Sequence, residues 1–115
     1  MLFRSLKRAT SDGLQFLRTR FHRVLALHNC RTTDYFAGFQ LTGRFRTAEL
    51  VKLIYSLPDG ITEFMCHPGH CREALRGAST RLKESREAEL EALTAVETRA
   101  ALTQCGVELV NYRVL

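Results

Sequence analysis

Residues 57–69, LPDGITEFMCHPG, constrain the fold more than any other stretch. A Pro-Asp-Gly triplet ending at Gly60 and a Pro-Gly pair at Pro68 and Gly69 bracket Ile61 to Cys66, a β-branched and aromatic run too short for a helix. The spacing predicts one short strand there. Just upstream, Leu50, Leu53, Ile54 and Leu57 repeat at i, i+3, i+4 and i+7, with Thr47 placed to cap the helix and Glu49 in its positive first turn. Helix, tight turn and strand in succession are the building unit of an α/β protein.

The flanks fit the same plan. Leu14, Leu17, Phe21, Val24, Leu25 and His28 form one helical stripe, which predicts a helix from about residue 11 to 29 with Phe16 and Phe21 used as core. Arg31 to Phe45, rich in Thr, Gly and aromatics, reads as an ordered loop with room for a short strand or turn. Arg72 to Arg81 reads as a loop with a short helical piece, and Leu82 to Leu93 as a helix. Thr94-Ala-Val-Glu97 has the pattern of a capping box that opens one more helix, Gly106 that of a C′ residue, and Val107 to Tyr112 that of a last strand. Phe64 and Met65 are expected as strand core, and Glu87, Glu89 and Glu91 as a solvated helix side. Glu63, in mid-strand, needs a partner such as an arginine if it is buried. Alternating helices and strands on short connections predict an α/β architecture with parallel strands.

At 115 residues, with 45% hydrophobic and 25% charged content, the chain has the size and balance of one soluble domain. No apolar run approaches the ~20 residues that cross a bilayer. The net charge of +5 is uneven, because Arg4, Lys7, Arg8, Arg18, Arg20, Arg23 and Arg31 face a single acid, Asp12, in the first 31 residues. Such a segment is either a solvated helix face or an attractor of nucleic acid or an anionic membrane. Its hydrophobic repeat runs too far for a transit peptide. Cys30, Cys66, Cys71 and Cys105 lack the spacing of a stapled secreted scaffold and follow no secretory h-region, so reduced thiols in a cytoplasmic protein are expected, with Cys30 and Cys105 as small buried hydrophobes.

The run Phe64 to Cys71, FMCHPGHC, places two cysteines and two histidines in eight residues. Three readings compete for it: a metal site, an active-site turn and a plain strand end. Zinc sites draw paired ligands from two places in the chain, whereas neighbours such as Cys66 and His67, or His70 and Cys71, point to opposite faces of an extended chain. His22, His28 and Cys30 could complete a set, but nothing in their spacing recommends it. In parallel α/β proteins the reactive groups sit just past the carboxyl ends of strands, which is where His67 falls. Pro68 fixes φ and Gly69 can take the positive φ of a type II turn, so the bend would hold the imidazole as a general acid or base. A histidine that satisfies a buried polar network at a strand end is the plain alternative.

Four segments carry a resemblance. TTDYFAGFQLTGRF, LPDGITEFMCHPGH, SREAELEALTAVETRAAL and CGVELVNYRVL, in this order, resemble the carboxyl-terminal part of the YdjC-like carbohydrate deacetylases, a group that includes chitooligosaccharide deacetylase and the hopanoid-associated deacetylases. Residues 31–115 match well and the basic amphipathic helix of residues 1–30 loosely. The resemblance implies a partial distorted (β/α) barrel and metal-dependent removal of acetyl groups from N-acetylated sugars, with a divalent metal, Mg or Zn, in the full-length family. It implies His67 as the catalytic histidine of the HPG turn, and Asp34, Phe36, Pro68 and Gly69 as substrate-binding residues. Tyr35, Phe36 and Phe39 are read as loop packing or as a sugar platform.

The family's metal site uses a paired aspartate near the amino terminus, and the isolated Asp12, Asp34 and Asp59 do not supply one. A barrel of this kind takes ~250 residues. The chain is therefore expected to be a carboxyl-terminal portion, inactive alone and holding no metal by itself, with the missing amino-terminal half or a second copy as partner and no membrane partner. The alternatives are a small basic nucleic-acid-binding module, which is not favoured if Phe16 and Phe21 are core, and a structural remnant without activity.

Overall fold

The computed structural model describes residues 16–115. The chain divides into two compact units, one running to Thr32 and including Leu115, the other Thr33–Val114. In the first unit, residues 16–27 form helix α1; residues 11–15 of the expected helix lie outside the described residues. The helix ends on Asn29 at φ 52, where the N–H of Cys30 donates to the carbonyl of Leu25 at 2.8 Å and that of Asn29 to Ala26 at 3.2 Å. Those two bonds make a Schellman motif, which satisfies carbonyls the helix would otherwise leave bare. Phe16 and Phe21, expected as core, are 67% and 56% exposed. Among the described residues of this unit, α1 has no second helix or strand beside its apolar stripe.

The second unit runs β1 (Tyr35–Ala37), a 3-10 turn (Phe39–Leu41), α2 (Thr47–Tyr55), β2 (Thr62–Phe64), α3 (Glu73–Arg76), α4 (Glu84–Thr94), α5 (Val96–Gln104) and a 3-10 turn (Tyr112–Val114). β1 and β2 pair in parallel, with Tyr35 opposite Thr62, Phe36 opposite Glu63 and Ala37 opposite Phe64. The α/β class with parallel strands therefore holds. A two-stranded sheet is no barrel, and the strand expected at Val107–Tyr112 is not formed. Val107 is drawn back under α5 instead: Gly106 sits at φ 64, and the N–H of Val107 donates to Leu102 at 2.9 Å while that of Gly106 donates to Thr103 at 3.2 Å. This second Schellman motif spends the backbone that a strand would have used in a ladder.

Two expected caps are corrected. Thr47 is the first residue of α2, and the cap is the extended Arg46. A guanidinium cannot accept a hydrogen bond, so only the reciprocal half of a capping box forms, with the Glu49 carboxylate accepting from the Arg46 N–H at 2.9 Å. Thr94 does not open α5, because α4 continues through it and its hydroxyl donates back to the Leu90 carbonyl at 2.8 Å. Ala95 alone, extended at φ −63 and ψ 144, turns the chain from α4 into α5.

The core is built from Phe45, Leu50, Ile54, Ala92 and Ala101, with Phe64 and Cys66 packed against it. Leu50 and Ile54, one turn apart, turn a single face of α2 onto α4 and α5, and the small Ala92 and Ala101 let these helices approach closely. Phe64 meets Phe45 edge to face at 5.5 Å between ring centres, which ties β2 to the helical layer. Phe45 is 1% exposed, and burying such a ring contributes about 2 kcal/mol.

Candidate functional site

Past β2 the chain is lashed to α4 by backbone N–H groups at alternate residues. His67 donates to Oε2 of Glu89 at 2.5 Å, Gly69 to the carbonyl of Arg86 at 3.1 Å and Cys71 to Oε1 of Glu87 at 2.9 Å. An extended chain turns every second N–H the same way, so one edge of the HPG segment meets the helix. Cys71 is buried at the end of the strap. His70 and Pro68, between the anchored residues, are exposed.

Glu89 is the residue that reading the sequence as a solvated helix side missed. It is 1% exposed, and its other oxygen, Oε1, accepts from the N–H of Gly43 at 2.9 Å. One carboxylate thus joins the loop that follows β1 to the turn that follows β2. A buried carboxylate needs strong compensation, and hydrogen bonds to a charged acceptor are about twice as strong as neutral ones. A signal was present: Glu89 stands four residues before Leu93 and seven after Leu82, in the stripe that Ala88 and Ala92 bury. Of the other two acids, Glu91 is solvated and Glu87 is exposed but engaged by Cys71.

His67 lies three residues beyond the end of β2, at the carboxyl edge of the parallel pair. Its side chain is half-buried, and Nδ1 is buried without a hydrogen-bond partner. A buried ring nitrogen left unpaired in a folded protein calls for a ligand, a water or a functional role.

The other expected site residues are distributed unevenly. Pro68 and Gly69 adjoin His67, but Gly69 does not adopt positive φ, so the type II geometry expected of it is corrected. The docking of its N–H on Arg86 shapes the bend instead. Phe36, 55% exposed, stands beside Glu63 in the pairing register. Asp34 precedes β1 and is at the opposite end of the pair from His67, the strand between spanning ~10 Å. Its Oδ2 accepts the Ile61 N–H at 2.9 Å and so fixes the start of β2.

Two titrations are displaced. Burial pushes the Cys66 thiol up, and the nearby charge of Glu89 adds to the rise. A hydrogen bond to the Glu63 carboxylate, followed by desolvation and that carboxylate's charge, raises the Tyr112 phenol. Glu63, half-buried, thus has a tyrosine as its partner. Cys30 and Cys105, expected to be buried, are exposed; each stands just past the end of a helix.

Among the described residues no three His, Cys, Asp or Glu side chains converge, and in the HPG strap Glu87 and Glu89 are occupied by backbone N–H groups.

A parallel β-pair backed by helices defines a protein of the α/β type, and the pinned histidine turn stands at the carboxyl edge of its sheet, where such proteins carry their sites. The chain belongs to the family of YdjC-like proteins, whose sequence model it matches over residues 2–104. That span takes in residues 2–30, where the resemblance by motif is loose. No curated protein and no solved structure matches the chain. No helix among the described residues is long and apolar enough to cross a membrane.

Proposed function

We propose that the chain carries the substrate-facing turn of a carbohydrate deacetylase, with His67 serving the departing amine of an N-acetylated sugar. Family membership supports the substrate class. The observation that carries the assignment is the half-buried imidazole at the carboxyl edge of a parallel pair, with Nδ1 unpartnered. Hydrolysis of an N-acetyl group adds water to the carbonyl carbon, forms an oxyanion and breaks the C–N bond as the nitrogen gains a proton. In this reading His67 delivers that proton or donates to the oxyanion. Phe36, Pro68 and Gly69 offer surface to the sugar, and Asp34 is assigned to a more distant unit of an oligomer.

The divalent metal implied by the resemblance is given no step, because the donor groups that would hold it are not assembled among the described residues. Turnover by the chain alone is not expected, for the same reason. The test is titration with N-acetylglucosamine oligomers followed by the ring resonances of His67, with released acetate measured in parallel in the presence of Mg or Zn. Ring signals that shift on saturation, with affinity lowered at least tenfold by His67→Ala, support the reading. Signals that stay fixed at millimolar oligomer remove it, and turnover abolished by His67→Ala would overturn the expectation of inactivity.

A second reading rests on α1. The exposed Phe16 and Phe21 alternate with Arg18, Arg20 and Arg23, the combination that binds phosphates and stacks on bases. Binding to single-stranded nucleic acid that falls steeply with salt would support it, and its absence at low salt would dismiss it.

A further inference from the structure

We propose that Glu89 is the positioning residue of this site, its single carboxylate coupling the loop after β1 to the turn after β2 so that the His67 imidazole is held in one place. The assignment rests on the reading of His67 as the residue that meets substrate.

Four observations carry it. Glu89 is 1% exposed, so water does not share its oxygens. Each oxygen has a separate task, Oε1 on Gly43 and Oε2 on His67. Both donor residues lie beyond strand ends on the same carboxyl edge, Gly43 past β1 and His67 past β2. Finally, the bond is made to the backbone of His67 itself, which leaves the imidazole free for a substrate while fixing the Cα that bears it.

A carboxylate suits this task and its amide does not. Two backbone N–H groups demand two acceptors, and glutamine has one oxygen and one NH₂, so one of the two loops must face a donor with a donor. Shortening the side chain to aspartate withdraws both oxygens from loops set at the reach of a glutamate. Glu87, two residues earlier on α4, provides the contrast: it holds only Cys71, at the far end of the strap.

The test compares the unmodified chain with Glu89→Gln and Glu87→Gln by amide hydrogen exchange and by the ring resonances of His67, with Thr98 and Ala101 in the buried helical layer reporting that the fold is intact. In Glu89→Gln the amides of Gly43 and His67 are expected to exchange at least tenfold faster, and the His67 ring signals to move toward those of the exposed His70. Glu87→Gln is expected to affect the Cys71 amide and leave the His67 ring unmoved. A His67 ring unaffected by Glu89→Gln, or moved equally by Glu87→Gln, overturns the proposal. Should Glu89→Gln fail to fold, scalar couplings across the hydrogen bonds from the Glu89 carboxyl carbon to both amide nitrogens, measured in the unmodified chain, decide the matter; their absence at either amide overturns the coupling. None of these readings depends on turnover or on sugar binding, so a failure of the deacetylase reading is seen separately, in the oligomer titration.

Discussion

The hydroxyl of Thr98, in the first turn of α5, donates to the carbonyl of Ala92, in the last turn of α4, at 2.6 Å. Ala92 is fully buried and its carbonyl is among those the end of α4 leaves without an intrahelical partner. Thr98, 4% exposed, supplies the missing donor across the Ala95 corner. Thr98→Val keeps the shape and strands the acceptor, so it is expected to cost about 1–3 kcal/mol. Thr98→Ser, which retains the hydroxyl, is expected to lose less. Urea unfolding of both variants separates the two, and equal losses would show that the methyl matters more than the bond.

Gly38 and Gly69 make opposite predictions for the same substitution. Gly38 is buried at φ 100, and a Cβ there would stand 2.3 Å from the carbonyl oxygen of Met65. Met65 in turn donates to Ala37 at 2.9 Å and so closes the β1–β2 ladder. Gly38→Ala therefore opens the pair at its carboxyl edge and is expected to cost at least about 2 kcal/mol. At Gly69 the nearest atoms to an added Cβ are 3.9 Å away, on Arg86, and φ is not positive. Gly69→Ala is expected to be tolerated within about 0.5 kcal/mol. Thermal unfolding of the two variants checks both expectations.

How much of this was legible depended on range. Pro58 to Gly60 and Pro68 with Gly69 are local punctuation, so β2 was readable within a residue or two, as was Gly106 at the end of α5. Thr94 was misread because its capping pattern competes with the helix propensity of the preceding run, and α4 won. Val107 to Tyr112 has strand composition, but a strand needs a neighbour to pair with and none of the described residues gives it one. Glu89 was lost for a related reason. A glutamate is solvated unless donors from elsewhere converge on it, and its donors lie 46 and 22 residues away.

The exposed aromatics and the edges of the β-pair predict association. Phe36 and Tyr35 are 55% and 43% exposed, and among the described residues each strand has one partner, which leaves both outer edges of the sheet without a ladder. Such edges and faces favour pairing with another copy. Size-exclusion chromatography is expected to show concentration-dependent self-association together with binding of a dye that reports apolar surface. Phe36→Ser should lower both. A clean monomer at all concentrations, without dye binding, would contradict the expectation.

Cys66 supplies a pH dependence. Burial first, and the charge of Glu89 second, raise its thiol above the ordinary value of 9.0. The folded protein then keeps a proton that the unfolded chain releases. By linkage, the stability tied to this group is whole below about pH 9 and declines as pH climbs from there through the raised value, where both states are ionised and nothing further is lost. The side chain is only partly buried, so the decline is shallow, and alkylation reads it more directly. Iodoacetamide labelling of Cys66, followed peptide by peptide, should have its midpoint above 9.0 in the folded chain and at the ordinary value in denaturant. Glu89→Gln removes the smaller cause and should bring the midpoint part of the way down. A midpoint in the folded chain at or below the denatured one would mean that Cys66 does not pack where β2 meets α4.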